Sequence, residues 1–207
     1  MRSLIPHARA FSARINDRTD ERESYGRLAQ GQSPEALFIT CSDSRVQPAV
    51  FTGARPGQLF ELRTAGNAVP PYSATGGQPS GEAATIEYAV RVLEVPEIVV
   101  CGHSHCGAVG ARVREEDLAA VPAVHSWLTT QLPPPGELAP DDADRERPDV
   151  SAAVQRHVRA QLARLRDYPC VAEREASGQL ALRGWFYTID TGLVLELDAR
   201  CDAFLPL

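Results

Sequence analysis

The stretch Glu97-Ile98-Val99-Val100-Cys101-Gly102-His103-Ser104-His105-Cys106-Gly107 decides the architecture. A β-branched apolar run ends at a glycine, polar residues follow at once, and a second glycine opens a segment with helical period. This reads as a buried strand, a tight turn and a helix start. The same order occurs upstream, where the apolar run Ala36 to Cys41 leads into Cys41-Ser42-Asp43-Ser44-Arg45. Further strands are expected at Gln58–Arg63, entered from Pro56-Gly57, and at Gln179–Thr188 and Leu193–Asp198. The last two are joined by the hairpin signal Asp190-Thr191-Gly192.

Helical segments alternate with these strands. Ser80–Leu93 places Ala83, Ile86, Ala89, Val90 and Leu93 near the helical period, and Cys106–Leu118 and Val150–Leu165 look similar. Alternation of this kind implies βαβ units, hence an α/β fold with a mainly parallel sheet and an antiparallel strand at its edge. Residues 131–148 are rich in proline, glycine and acidic residues and read as an exposed loop inside one domain. Residues 1–30 read as a helical arm, helical from about Ile15 to Ala29, on a single domain that spans 1–207.

Composition removes several functions. The chain has 207 residues, 43% of them apolar, enough for a sizeable core. A formal net charge of -6 argues against a non-specific nucleic-acid binder. All 21 basic residues are arginine, so a lysine base or Schiff base is not available. No apolar run has the length of a signal peptide or a membrane span, and the expected location is cytoplasmic, away from membranes. Five cysteines is an odd number, which in a reducing compartment points to metal or nucleophile duty before disulfides.

The two strand-end patches carry the chemistry. In open α/β sheets, ligands bind beyond the carboxyl ends of the strands where the strand order reverses. His103 and Cys106 are three apart at a turn, so they can reach one metal ion, and Cys41 can supply a third ligand from a neighbouring strand. Two thiolates and one imidazole suit tetrahedral zinc with its fourth position open, the layout of a catalytic site. On the residues alone, two plainer readings stay open: buried core cysteines, or a closed structural zinc with Asp43 as fourth ligand.

With these motifs on the page, the sequence resembles the β-class carbonic anhydrases. The matching stretches are Gly31-Gln32-Ser33-Pro34, Cys41 to Val46, Pro56-Gly57 with Phe60 and Arg63, Ala65-Gly66-Asn67, Glu87-Tyr88-Ala89-Val90 and Cys101 to Ala108, with Gly184-Trp185 and Thr191-Gly192 near the end. The resemblance implies a central four-stranded parallel sheet of order 2-1-3-4, with one Zn2+ per chain held by Cys41, His103 and Cys106. It implies reversible hydration of carbon dioxide to bicarbonate and a proton by zinc-hydroxide attack. Asp43 and Arg45 become the catalytic dyad, and Gln32, Phe60 and Tyr88 become pocket residues. A pocket built across a subunit interface implies a homodimer or tetramer. The backbone N–H of Gly107, at a helix start, is a candidate for binding developing bicarbonate charge. Two thiolates cancel the zinc's charge, so activity is expected to rise toward mildly alkaline pH.

Two other functions fit the same motifs. One is hydrolysis of carbonyl sulfide or carbon disulfide on this scaffold. The other is a non-catalytic zinc-binding or redox-sensing module, which has no need of an Asp–Arg dyad. Phe38 stands where one bicarbonate-inhibited subgroup has tryptophan, and Thr64 where many members have asparagine. His105 is a candidate proton shuttle, though a solvent-facing role is the plainer reading. His125 and His157 are expected to be ordinary surface or half-buried residues. Cys101, Cys170 and Cys201 are expected to be structural, and the arginines from Arg156 to Arg166 to form a solvated helix face.

Overall fold

The computed structural model describes residues 4–72 and 80–207. The chain falls into two compact units, Met1–Ser33 and Pro34–Leu207. In the first, helices α1 (Leu4–Asn16) and α2 (Thr19–Leu28) are held together by an edge-to-face contact between Phe11 and Tyr25, with ring centroids 5.9 Å apart. The helical arm therefore starts earlier than expected and breaks at Asp17-Arg18 instead of running unbroken from Ile15. Arg18 is extended there and pairs with Asp20 and Glu21 of the next helix.

The second unit is a six-stranded sheet in the order β2-β1-β3-β4-β5-β6. Strands β1 (Ala36–Cys41), β2 (Leu59–Thr64), β3 (Glu97–His103) and β4 (Ala181–Tyr187) are mutually parallel. Strands β5 (Val194–Asp198) and β6 (Ala203–Pro206) continue the sheet antiparallel. The α/β class and the order 2-1-3-4 are as expected. The sixth strand is an addition, only four residues long and containing a proline, so it carries little strand signal.

Between the strands lie α3 (Pro48–Thr52), α4 (Gly81–Glu87), α5 (Gly107–Val113), α6 (Pro122–Gln131), α7 (Pro135–Leu138), α8 (Asp142–Glu146), α9 (Ser151–Leu165) and α10 (Pro169–Ala176). Ser80 caps α4 by accepting the Ala83 N–H at 3.0 Å, and the helix runs on into a π-helical turn, Tyr88–Val92. Helix α5 stops well before Leu118, with Glu115 in the left-handed region. The stretch 131–148 is not an exposed loop. It carries α7 and α8, and Leu132, Leu138 and Ala139 are buried in the main core.

That core packs Leu37, Ile39, Ile98 and Val100 of the central strands against Ile86, Val109, Val154 and Val158. The opposite face holds a smaller cluster of Ala36, Phe38, Val99 and Cys101, with Phe51, Trp185 and Tyr187 packed on it. Helix α9 lies close on the sheet because β3 and β4 carry glycines beneath it. A Cβ on Gly102 would fall 2.4 Å from Val154 and 2.8 Å from Val158. One on Gly184 would fall 2.9 Å from Leu162. Among the described residues no helix is long and apolar enough to cross a membrane.

Candidate metal centre

Strands β1 and β3 are neighbours, and the chain leaves them toward opposite sides of the sheet. Their carboxyl ends therefore form the crevice at which α/β sheets bind ligands. Cys41 ends β1, His103 ends β3, and Cys106 is the residue from which α5 starts. Their ligand atoms all lie within 4.8 Å of one another, and all three residues are buried.

The donor chemistry fits a divalent ion. His103 Nδ1 lies 2.8 Å from the Ser104 carbonyl, which can only accept, so Nδ1 carries the proton and Nε2 presents a lone pair. Nε2 is fully buried and has no hydrogen-bond partner among the described residues. A buried nitrogen left unpaired costs free energy unless something binds it. Hydrogen bonding from the neighbouring Cys106 thiol pulls the Cys41 thiol far below its ordinary value. The same pairing with Cys41, together with burial, pushes Cys106 up. Two thiols and an imidazole this close suit one thiophilic dication, which binds sulfur as thiolate.

Asp43 stands beside this cluster and is held by Arg45. Arg45 donates to Asp43 through Nε at 3.0 Å and Nη2 at 2.7 Å, a bidentate fork, and its backbone N–H adds a third bond at 2.9 Å. Arg45 Nη2 also donates to the His105 carbonyl at 3.0 Å, tying the two strand-end loops together. The Arg45 guanidinium holds the Asp43 carboxyl down at about 2, so it is ionised throughout the neutral range. Its nearer oxygen is 4.0 Å from His103 Nε2, beyond hydrogen-bond reach.

Arg63 organises the first loop from beneath. Its guanidinium donates to the carbonyls of Cys41 (2.8 Å), Asp43 (2.9 Å) and Val46 (2.7 Å). Sequence reasoning noted Arg63 only as part of a matching stretch, since carbonyl partners leave no trace in residue identity. Thr64 is buried and donates to the Ala68 carbonyl at 3.0 Å, closing the Ala65-Gly66-Asn67 turn.

The other expected site residues are placed less simply. Phe60 and Tyr88 meet, with ring centroids 6.0 Å apart. However, Phe60 pairs in register with Leu37 while Thr64 pairs with Cys41, so Phe60 lies four residues, or ~13 Å of strand, from the metal end of the sheet. Tyr88 lines a cavity of about 490 Å3 with Tyr72, Arg91 and Cys170, and none of the metal-cluster residues lines it. Within one chain these aromatics do not reach the cluster. Gln32 is exposed in the N-terminal unit, in the stretch after α2. Gly107 is exposed at the start of α5.

His105 is exposed, at positive φ, and its backbone N–H donates to the Asp149 carbonyl at 2.7 Å. His125 is exposed, as expected, and Cys101 and Cys170 are buried, whereas Cys201 is exposed. Two expectations are corrected. His157 is completely buried and bonded to the Gly66 carbonyl, not a surface or half-buried residue. The arginines of α9 are not a free solvated face. Arg156 binds Asp144 and the Leu138 carbonyl, Arg159 binds Asp202, and Arg164 binds the carbonyls of Val69 and Gln131.

Comparison with known proteins follows the same lines. Residues 36–194 match the family model described as carbonic anhydrase. The chain is 46% identical to a carbonic anhydrase of Pseudomonas aeruginosa over 87% of its own length and 80% of the relative's. It is 38% identical to one of Synechococcus elongatus over 96% and 72%. Among solved structures, the β-carbonic anhydrase CcaA superposes with a TM-score of 0.87 at 37% identity, covering 100% of this chain and 99% of that one. One of two tetrameric β-carbonic anhydrases from Sordaria macrospora does so at 0.77 and 29%, covering 96% of each.

Proposed function

The chain belongs to the β-class carbonic anhydrases, and from that premise we propose how its residues carry out the reversible hydration of carbon dioxide to bicarbonate and a proton. The observation that carries the proposal is the buried Cys41–His103–Cys106 cluster with its unpaired Nε2, set beside an Asp43 already held by Arg45. Cys41, His103 and Cys106 hold one zinc ion, which suits two thiolates and an imidazole better than harder ions. When bound, zinc supplies Lewis acidity that lowers the pKa of water toward neutrality and so makes a nucleophile available.

The chain's own groups do the rest. Arg45 keeps Asp43 ionised and engaged, so that the carboxylate stands beside the position the three donors leave open and does not fill it. Asp43 accepts a hydrogen bond from the attacking oxygen and so aims its lone pair at the carbon of carbon dioxide. The Gly107 N–H faces developing bicarbonate charge, and the proton leaves to buffer. Phe60 and Tyr88, remote from their own chain's cluster, line the pocket of a second copy, and Gln32 is a substrate-binding residue. This reading makes the working unit a homodimer or tetramer, and the exposed Leu4, Ile5 and Phe11 of the arm are suited to such packing. We place the enzyme in the cytoplasm as a single carbonic anhydrase domain with an N-terminal arm.

Hydrolysis of carbonyl sulfide or carbon disulfide and the non-catalytic module are not favoured, because the relatives are carbonic anhydrases and the dyad is intact. The test is stopped-flow carbon dioxide hydration on metal-quantified protein at pH 7 and pH 8.5. Turnover that tracks about one zinc per chain, grows at the higher pH and vanishes in Cys106→Ser is expected. Full zinc with no hydration at either pH would overturn the proposal.

A further inference from the structure

One polar stripe of α9, continued just past its end, is spent on a single backbone segment. His157, Gln161, Arg164 and Tyr168 follow the helical spacing that puts residues on one face. His157 Nε2 donates to the Gly66 carbonyl at 2.7 Å. Gln161 Oε1 accepts the Val69 N–H at 2.7 Å. Arg164 donates to the Val69 carbonyl at 2.8 Å, and the Tyr168 hydroxyl to the Pro70 carbonyl at 2.8 Å. His157 and Gln161 also contact each other at 3.3 Å, which fixes the imidazole with its proton on Nε2. His157 and Gln161 are both fully buried, where an unpaired polar group is costly, so the arrangement is strongly specified.

The segment so gripped has one polar group turned to the metal cluster. The Gly66 N–H approaches Cys41 Sγ, with nitrogen and sulfur 3.4 Å apart. Gly66 sits at φ 73 and Asn67 at φ 48, so the turn is held in a conformation that L residues rarely adopt. Trp127 donates to the Ala65 carbonyl at 2.9 Å from the other side. The peptide groups of Gly66 thus connect α9 to a sulfur: its carbonyl is held by His157, and its N–H is aimed at Cys41.

We infer that His157, supported by Gln161, is a positioning residue for the metal centre: by clamping the Ala65–Pro70 turn it holds the Gly66 N–H on the Cys41 thiolate and thereby sets how much charge that sulfur gives the metal. The inference rests on Cys41 being a metal ligand. Hydrogen-bond partners of metal ligands typically matter ~10–100-fold in metal affinity. An N–H directed at a thiolate also withdraws charge from sulfur, which a sulfur-to-metal charge-transfer band reports directly.

The experiment compares wild type, His157→Ala and His157→Asn as full-length protein, with zinc affinity measured by chelator competition and the charge-transfer band read after Co(II) substitution. Asparagine keeps a short N–H donor toward Gly66. The expected result is a ~10–100-fold weaker zinc affinity and a band shifted to longer wavelength in His157→Ala, with His157→Asn moved back toward wild type. If His157→Ala does not fold, the band of His157→Asn against Gln161→Leu decides by the same shift. Variants that melt cooperatively and keep the wild-type affinity and band overturn the inference and leave His157 a packing residue. A wild-type protein without a thiolate band, or one whose band survives Cys41→Ser, overturns the ligand assignment itself and the inference with it.

Discussion

Acid should unfold this protein partly through one histidine. His157 is fully buried, and its burial, the largest influence on it, holds the imidazole down at about 4 against an ordinary value of 6.5. The Gly66 carbonyl and the Cys41 sulfur work in the opposite direction, and Arg164 with it. Between those two pH values the unfolded chain takes up a proton that the folded chain refuses. Stability from this group is therefore fully present above pH 6.5, falls as the pH drops, and levels off below pH 4. At 1.36 kcal/mol per pH unit, the loss at pH 4.5 relative to pH 7 comes to ~2.5 kcal/mol. For a chain of this size that is ~5–10 °C in Tm. The assay is thermal or urea unfolding at both pH values for wild type and His157→Asn, each stripped of metal beforehand. Every other titrating group is common to both proteins, so the difference in pH dependence belongs to residue 157. The variant is expected to be less stable at pH 7 yet to lose ~2.5 kcal/mol less on acidification. Identical acid sensitivity in the two proteins would refute the argument, because it would mean that the imidazole is charged in the fold.

Three further outcomes are expected. Gly102→Ala drives a methyl group into Val154 and Val158 and should cost ~1–3 kcal/mol or more, read as a lower midpoint in urea unfolding. Arg45→Ala removes a bidentate, charge-assisted pair and should lower carbon dioxide hydration ~10–100-fold at unchanged zinc content, with Arg45→Lys recovering only part because an ammonium cannot reproduce the fork. Dialysis against a strong chelator should abolish turnover, and one equivalent of zinc per chain should restore it; turnover that persists in the metal-free protein would exclude the metal centre as its source.

Strand ends were the most legible part of the sequence. The apolar run Ala36 to Cys41 is β1 residue for residue, and β3 runs one residue past the expected Gly102 to end on His103. The grouping of Cys41, His103 and Cys106 was legible because thiols and an imidazole follow two apolar runs whose ends share a crevice in this fold, while their role as ligands came from the resemblance. What stayed hidden shares a different character. Arg63 and His157 act through backbone carbonyls, 17 to 22 and 91 residues away, and a carbonyl is the same at every position. Helices α7 and α8 were missed because four or five residues show no period, and proline-rich acidic sequence reads as loop until Leu138 is seen to be buried. The separation of Phe60 from the cluster was invisible for another reason: strand register assigns it, and register comes from pairing, not from the strand's own residues.

Gly102 and Gly184 hold no atom beyond the backbone, yet they determine the substitutions open to three helix positions. Val158 reaches toward both glycines, Val154 toward the first and Leu162 toward the second. These five positions can change only as a set: a methyl gained on the sheet must be matched by one lost on the helix, and Val158 is the position where a single loss relieves both. A designer who trims the helix alone leaves a void, and one who fills the sheet alone lifts the helix. Because the helix carries the stripe that grips the Gly66 turn, either error is passed to the sulfur at its far side. Remodelling of this catalyst for new conditions is therefore best started around Cys41, His103 and Cys106, with the seat of the helix left as it is.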